Sequence, residues 1–275
     1  MKEHLSLEQR ILNAYGSQEC ERLHGIHQLL SESGRLREEF PFMWAQTDEI
    51  SWGFNWGQCI GWREVLFAQF VNLGQMSIGY DVTIPKLYPE TALAEAGTSG
   101  FQEYNELNSG VIEVAGDGKS CRASWICHGM QYTHFKPNGN RYGANTMERY
   151  GADFIYDEED GHWKFLHEQV ASDGACLPFD TGNWAYDSYK ALAKKMPDGV
   201  PVPEEAVPAG GPPPCSNPGS LHEGYSALQP VQKSVDAPEQ YETLDDESSY
   251  TPLDLRPDPD LFRYDAESGR WEVNR

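Results

Sequence analysis

"SGVIEVAGDGKSCRASWICHGMQY", residues 109–132, is the stretch whose reading decides the fold. An apolar run (Val111, Ile112, Val114) breaks at Gly116-Asp117-Gly118, and a longer alternating run follows, carrying Arg122 and His128 among small and aromatic residues. Gly and Asp at such a break supply a hairpin turn. Two antiparallel strands are therefore expected here, and the open question is what the half-polar second strand faces.

Downstream the period of two continues. Strands are expected near 107–115, 120–136, 143–157 and 162–171, with turns at "GDG", "KPNGN" and "EEDG". Connections this short cannot carry parallel crossovers, so the pairing should be antiparallel. Upstream the spacing is helical. Leu23, Ile26, His27 and Leu30 fall at i, i+3, i+4 and i+7, which predicts a helix over Leu5–Ser33 with His27 on its apolar stripe. A shorter amphipathic piece spans Leu36–Trp44. "DEISWGFNWGQCIGW" then holds three of the eight tryptophans, with Trp44 just upstream, and reads as a bent loop, leading into a third helix, "WREVLFAQFVNLG". Helices followed by a strand meander predict an α+β domain over residues 1–196.

From Pro197 the composition shifts, with 13 of the 18 prolines in residues 197–275. Low hydrophobicity and high charge favour a solvated tail. Yet Tyr225, Tyr241, Tyr250 and Phe262 lie in it, and "LFRYDAESGRWEV" has the pattern of a small hairpin. An extended Pro-rich, acidic arm over 197–275, packed on its own domain or a neighbour's, is the expectation.

The formal charge of −22 over 275 residues argues against nucleic-acid binding, because counterion release requires Lys and Arg clusters, although much of the acidity sits in the last eighty residues. Neither nucleic acid nor an anionic membrane is an expected partner. No segment approaches the roughly 20 apolar residues of a membrane span, and the N-terminus lacks the apolar core of a signal peptide. The six cysteines form no CxxC pair, so reduced thiols and a cytoplasmic location are expected. No Walker loop, dinucleotide fingerprint or G-x-S-x-G elbow occurs, and no cofactor is expected.

"VIEVAGDGKSCRASW", "DEISWGFNWGQCIGWREV" and "YDEEDGHWKFLHEQV" occur in the order and spacing of a strand–turn–strand ending in Trp, an aromatic–Gly-x-x-x-Gly loop with its helix, and a Trp-led final strand. In this, residues 7–175 resemble the nuclear-transport-factor-2-like (NTF2-like) superfamily in its polyketide-cyclase (SnoaL-like) branch. The resemblance implies a cone, with a curved antiparallel sheet wrapped on N-terminal helices around a deep apolar cavity. It also implies cofactor-free chemistry: dehydration, double-bond isomerisation, aldol-type cyclisation, epoxide hydrolysis or loss of formaldehyde. Fold alone leaves the reaction open. In the dehydratase members a His stands where this chain has Asn105; spacing brings the acid of the family's next strand near His128. Glu32 lies near the helix acid's position, but five residues from His27 it points about 140° away.

On the second long strand Cys121, Ala123, Trp125 and Cys127 share one face, and Arg122, Ser124, Ile126, His128, Met130 and Tyr132 the other. The second set mixes apolar bodies with proton-transferring tips, as a ligand cavity does. On the last strand Trp163, Phe165, His167 and Gln169 share a face opposite Lys164 and Glu168. His27, His128 and His167 are thus the candidate catalytic residues, expected to converge from three elements. Trp52, Trp56, Asn105, Arg122, Tyr132 and Tyr150 are the candidate substrate contacts. An imidazole of ordinary pKa, about 6.5, suits general-base work near neutrality. A lone His on an apolar face is more often a hydrogen-bonded core residue. His24 and His27, at i and i+3, have metal-ligand spacing, but no matching second pair accompanies them and no metal is expected.

The function expected is that of a cofactor-independent lyase or isomerase acting on a hydrophobic aromatic or polycyclic molecule. The alternative is a non-catalytic ligand-binding or oligomerising SnoaL-like protein. A homo-oligomer, dimer or trimer, to which the arm contributes, is the expected assembly.

Overall fold

The computed structural model describes residues 6–32, 40–55, 57–68, 102–134, 141–176, 215–219, 221–222, 235–267 and 270–273. Helix α1 (Leu7–Glu32) opens the chain, followed by the single turn α2 (Phe40–Met43). A hairpin of β1 (Ser51–Phe54) and β2 (Gly57–Ile60) leads into α3 (Gly61–Phe67). The four long strands are β3 (Gln102–Val114), β4 (Ser120–His134), β5 (Arg141–Asp157) and β6 (His162–Cys176). Short β7 (Asn217–Pro218) and the hairpin β8 (Phe262–Asp265) and β9 (Arg270–Val273) belong to the C-terminal arm.

β3 to β6 form the expected antiparallel meander, and the seven-stranded order is β3-β4-β5-β6-β1-β2-β7. One pair departs from the expectation: β1 runs parallel to β6, with Trp52 opposite Glu168. The β1–β2 hairpin also replaces the loop expected in the tryptophan-rich stretch. Trp52 and Phe54 lie two residues apart and stack at 6.0 Å, an alternation too short to stand out between glycines. Gly57 supplies a backbone angle of φ 152° in its turn, where a Cβ would meet the Asn217 carbonyl at 2.8 Å.

α1 lies across one face of the curved, unclosed sheet. Its buried residues are small or polar: Gly16, Cys20, His24, His27 and Gln28. Small residues on both sides permit the close approach; a Cβ at Gly16 would touch Trp163 at 3.0 Å and Val114 at 3.1 Å. Opposite the helix stand Cys121, Ala123, Trp125 and Cys127 of β4, with Ala152 and Phe154 of β5 and Phe165 of β6. This apolar face is the inner one. The set containing Arg122, Ser124, Ile126 and His128 therefore faces outwards, contrary to the expectation. Seating a helix removes most apolar area from water on the side without charges, and that decides the orientation.

The arm crosses the outer face. Gly116 and Asp117 donate backbone hydrogen bonds to Tyr241 and Glu242 carbonyls, capping the β3–β4 turn. Thr251 Oγ1 accepts from Ser51 Oγ (3.1 Å) and Gln58 Nε2 (2.7 Å). β7 adds itself to the edge of β2. Burial pushes the Tyr241 phenol well up, although its hydroxyl meets Ser120 Oγ at 3.2 Å. No helix among the described residues is long and apolar enough to cross a membrane.

Candidate active site

A carboxylate with two imidazoles marks the interior. Glu168 Oε1 lies 3.2 Å from His24 Nε2 and 3.6 Å from His27 Nε2, and the Trp52 side chain hydrogen-bonds the same carboxylate. Glu168 and His24 are wholly buried, and His27 is 6% exposed. Burial pushes the Glu168 carboxyl up, but the electrostatic pull of the nearby His27 imidazole, the His24 hydrogen bond and the Trp52 hydrogen bond outweigh it and hold it below the ordinary carboxylate range.

Aromatic rings enclose the group. The His24 ring stands edge-on to Trp125 at 4.2 Å and lies 5.3 Å from Tyr150, while Phe165 flanks His24 and His27 at 5.8 and 5.7 Å. Opposite Trp125, β3 bulges between Asn108 and Val111, where Ser109 takes φ 53° and Gly110, without a side chain, lies close against the indole. The Tyr150 hydroxyl donates to Glu148 at 3.0 Å. Asn105 is buried on the neighbouring strand; its backbone N–H donates to Glu32 at 2.8 Å, and the Cys127 thiol approaches its side-chain oxygen at 3.9 Å. Glu32 therefore serves β3 rather than His27, as its helical angle predicts.

Of the expected residues, His27, Trp52, Asn105 and Tyr150 lie on this interior side. His128 does not: it is exposed on the outer face of β4. His167 and Arg122 also lie on the outer side, against the arm. Trp56 and the Tyr132 side chain fall outside the described residues. The expected convergence of His27, His128 and His167 is thus replaced by His24 and His27 meeting at Glu168.

The cause on β6 is a bulge. Asp153 pairs with His167 and Phe154 with Phe165, so the register skips Leu166. Phe165 faces inwards, and one residue's slip then turns Glu168 inwards and His167 outwards. Strict alternation assigns both to the wrong faces. No residue-level signal announces the bulge, but His24 is visible as the i−3 partner of His27.

On the outer face Asp153 Oδ2 accepts from Ser249 Oγ (2.7 Å) and the Tyr250 backbone N–H (2.9 Å), and meets His167 Nδ1 at 2.9 Å. The Arg122 guanidinium lies 3.9 Å over the Tyr250 ring. Burial, first among several effects, pushes the Tyr250 phenol up to about 12. Ser, His and Asp meet here, but Ser249 and Asp153 both address the same imidazole nitrogen. A relay needs the imidazole between hydroxyl and carboxylate. This cluster fastens the arm.

A groove of about 670 Å³ opens beside α1, lined by Leu23, Ile26, Leu30, Phe42, Met43 and Trp163 among others. Its residues do not include His24, His27 or Glu168.

No protein-family model matches the chain, and no match was found among curated proteins. Solved structures do match. A candidate scytalone dehydratase from Novosphingobium aromaticivorans is 10% identical, with 64% of this chain and 94% of that one covered and a TM-score of 0.42. LinA is 10% identical, with 64% and 98% covered and a TM-score of 0.41. An NTF2-like protein from Pseudomonas putida is 13% identical, with 61% and 90% covered and a TM-score of 0.38. The matched structures thus include NTF2-like proteins, the superfamily that the sequence resembles.

Proposed function

We propose that the chain is a cofactor-independent lyase or isomerase that moves a proton on a hydrophobic aromatic or polycyclic small molecule. The observation that carries this reading is the fully buried Glu168 carboxylate held between His24 and His27 in an aromatic enclosure. A carboxylate withdrawn from water at this cost is retained where its charge has a partner or a task.

Glu168 addresses Nε2 of both rings, which favours the tautomer carrying its proton on that nitrogen and leaves Nδ1 as the basic atom. His27, the more accessible ring, is then the general base. Glu168 orients it and stabilises the imidazolium formed when it takes a proton from an activated C–H or hydroxyl group. Trp52, Tyr150 and Asn105 are assigned to substrate, the aromatic pair as walls and Asn105 as a polar contact. The arm is assigned to stability and to assembly of a homo-oligomer.

Asn105, standing where the dehydratases resembled have a His, favours a second reading: an interior that binds a ligand without transforming it. One experiment separates the two. Small molecules that co-purify with the full chain are extracted, identified by mass spectrometry and returned to fresh protein in deuterium oxide. Deuterium incorporation or product formation that disappears in His27→Ala supports the enzyme. Binding without exchange in the parent chain overturns it.

A further inference from the structure

Two cysteines far apart in sequence meet where the arm joins the sheet. Cys59, on β2, is wholly buried; Cys215, two residues before β7, is partly exposed. Pairing of Gly57 with Pro218 and Gln58 with Asn217 brings the two segments side by side. Cys215 Sγ sits over Gly57, 2.9 Å from where a Cβ would stand, and Gly57 and Cys59 share a face of β2. The two thiols hydrogen-bond one another.

We infer that Cys59 and Cys215 form a peroxide-responsive disulfide that fastens the arm to β2. The hydrogen bond from Cys59 lowers the Cys215 thiol below its ordinary value, against its partial burial, whereas that bond and burial raise Cys59. The accessible, more acidic sulfur is thus the one that reacts with oxidant. Cys215 thiolate attacks one oxygen of hydrogen peroxide, breaking the O–O bond and giving a sulfenic acid and hydroxide, which leaves as water after protonation. The Cys59 sulfur then attacks the sulfenic sulfur, and its proton leaves with the departing hydroxyl as a second water. Two thiols lose two electrons, and one peroxide gains them.

A second buried pair gives the internal control. Cys20 on α1 and Cys121 on β4 also hydrogen-bond, but both are wholly buried under the helix. They should remain thiols under the same treatment.

The full chain is treated with one equivalent of hydrogen peroxide, alkylated, digested and analysed by mass spectrometry. A cross-linked Cys59–Cys215 peptide, reversed by dithiothreitol, is expected, with Cys20 and Cys121 alkylated only after unfolding. Cys59→Ser should leave Cys215 as a sulfenic acid trapped by dimedone, and the oxidised parent chain should melt higher than the reduced one. Failure to cross-link in the parent chain, or linkage of other cysteines in preference, overturns the inference without any variant. An unchanged melting temperature after full cross-linking overturns the fastening role.

Discussion

His24 Nε2 and Glu168 Oε1, both without solvent exposure, face each other across 3.2 Å between α1 and β6. A buried carboxylate held this way gains little net stability over a hydrophobic substitute, yet removing the imidazole opposite leaves its charge stranded. Its presence in an otherwise apolar enclosure is the reason to look for chemistry there.

Activity should follow the interior and ignore the outer strand face. His27→Ala should lower turnover of the identified substrate by roughly 10²-fold or more, the usual scale for a lost general base. His128→Ala should leave it unchanged, because that side chain is exposed on the opposite face. Steady-state rates on the two variants check both halves. A large loss in His128→Ala would refute the assignment of faces.

Acid should destabilise the protein partly through Glu168. Its carboxyl titrates below the ordinary value of 4.5 in the folded chain. A depressed folded value contributes stability that is complete above the ordinary value and is lost as pH falls through the folded one. Urea unfolding from neutrality into acid should therefore show a loss beginning below that ordinary value. Glu168→Gln should be less stable near neutrality and show a flatter decline in acid. Equal slopes for both chains would contradict the linkage.

The long strands β3 to β6 were legible because each alternates for many residues. Helix α1 was legible as a helix, but its apolar stripe did not name its partner. His24, read at most as a metal ligand, turned out to share Glu168 with His27. On β4 the polar tips of Arg122 and His128 suggested a cavity, whereas the charge-free Cys-Ala-Trp-Cys face was the better sign of the interior. On β6 the inversion at Leu166 follows from hydrogen-bond register between β5 and β6, a pairwise property that one strand's pattern does not encode. The arm's aromatics suggested packing, but its polar anchor at Asp153 depends on residues nearly a hundred positions apart.

That anchor and the Thr251 contacts make a separable prediction. Thr251→Val removes the acceptor for Ser51 Oγ and Gln58 Nε2 while keeping side-chain size. Stranding these buried donors should cost about 1–3 kcal/mol. The urea midpoint should fall accordingly, with little change in turnover, since the site lies on the other side of the sheet. An unchanged midpoint would show that the arm adds no stability through Thr251.

The close fit of Trp125 gives the sharpest structural test. At Gly110 a Cβ would stand 2.7 Å from Trp125 Nε1 and 2.9 Å from its Cδ1, and this indole is the ring packed edge-on to His24. Gly110→Ala must move either the β3 bulge or the indole, at a cost of about 1–3 kcal/mol for overpacking. Moving the indole disturbs His24 and, through Glu168, His27; turnover should fall along with stability. Gly25 on α1 is the control, because a Cβ there meets nothing within 4 Å. Gly25→Ala should stabilise the helix by about 0.5–1 kcal/mol and leave the rate alone. Melting temperatures and rates measured on the two variants should therefore move apart. If Gly110→Ala melts and turns over like the parent chain, the indole has room that this packing denies it, and Trp125 does not fix the position of His24.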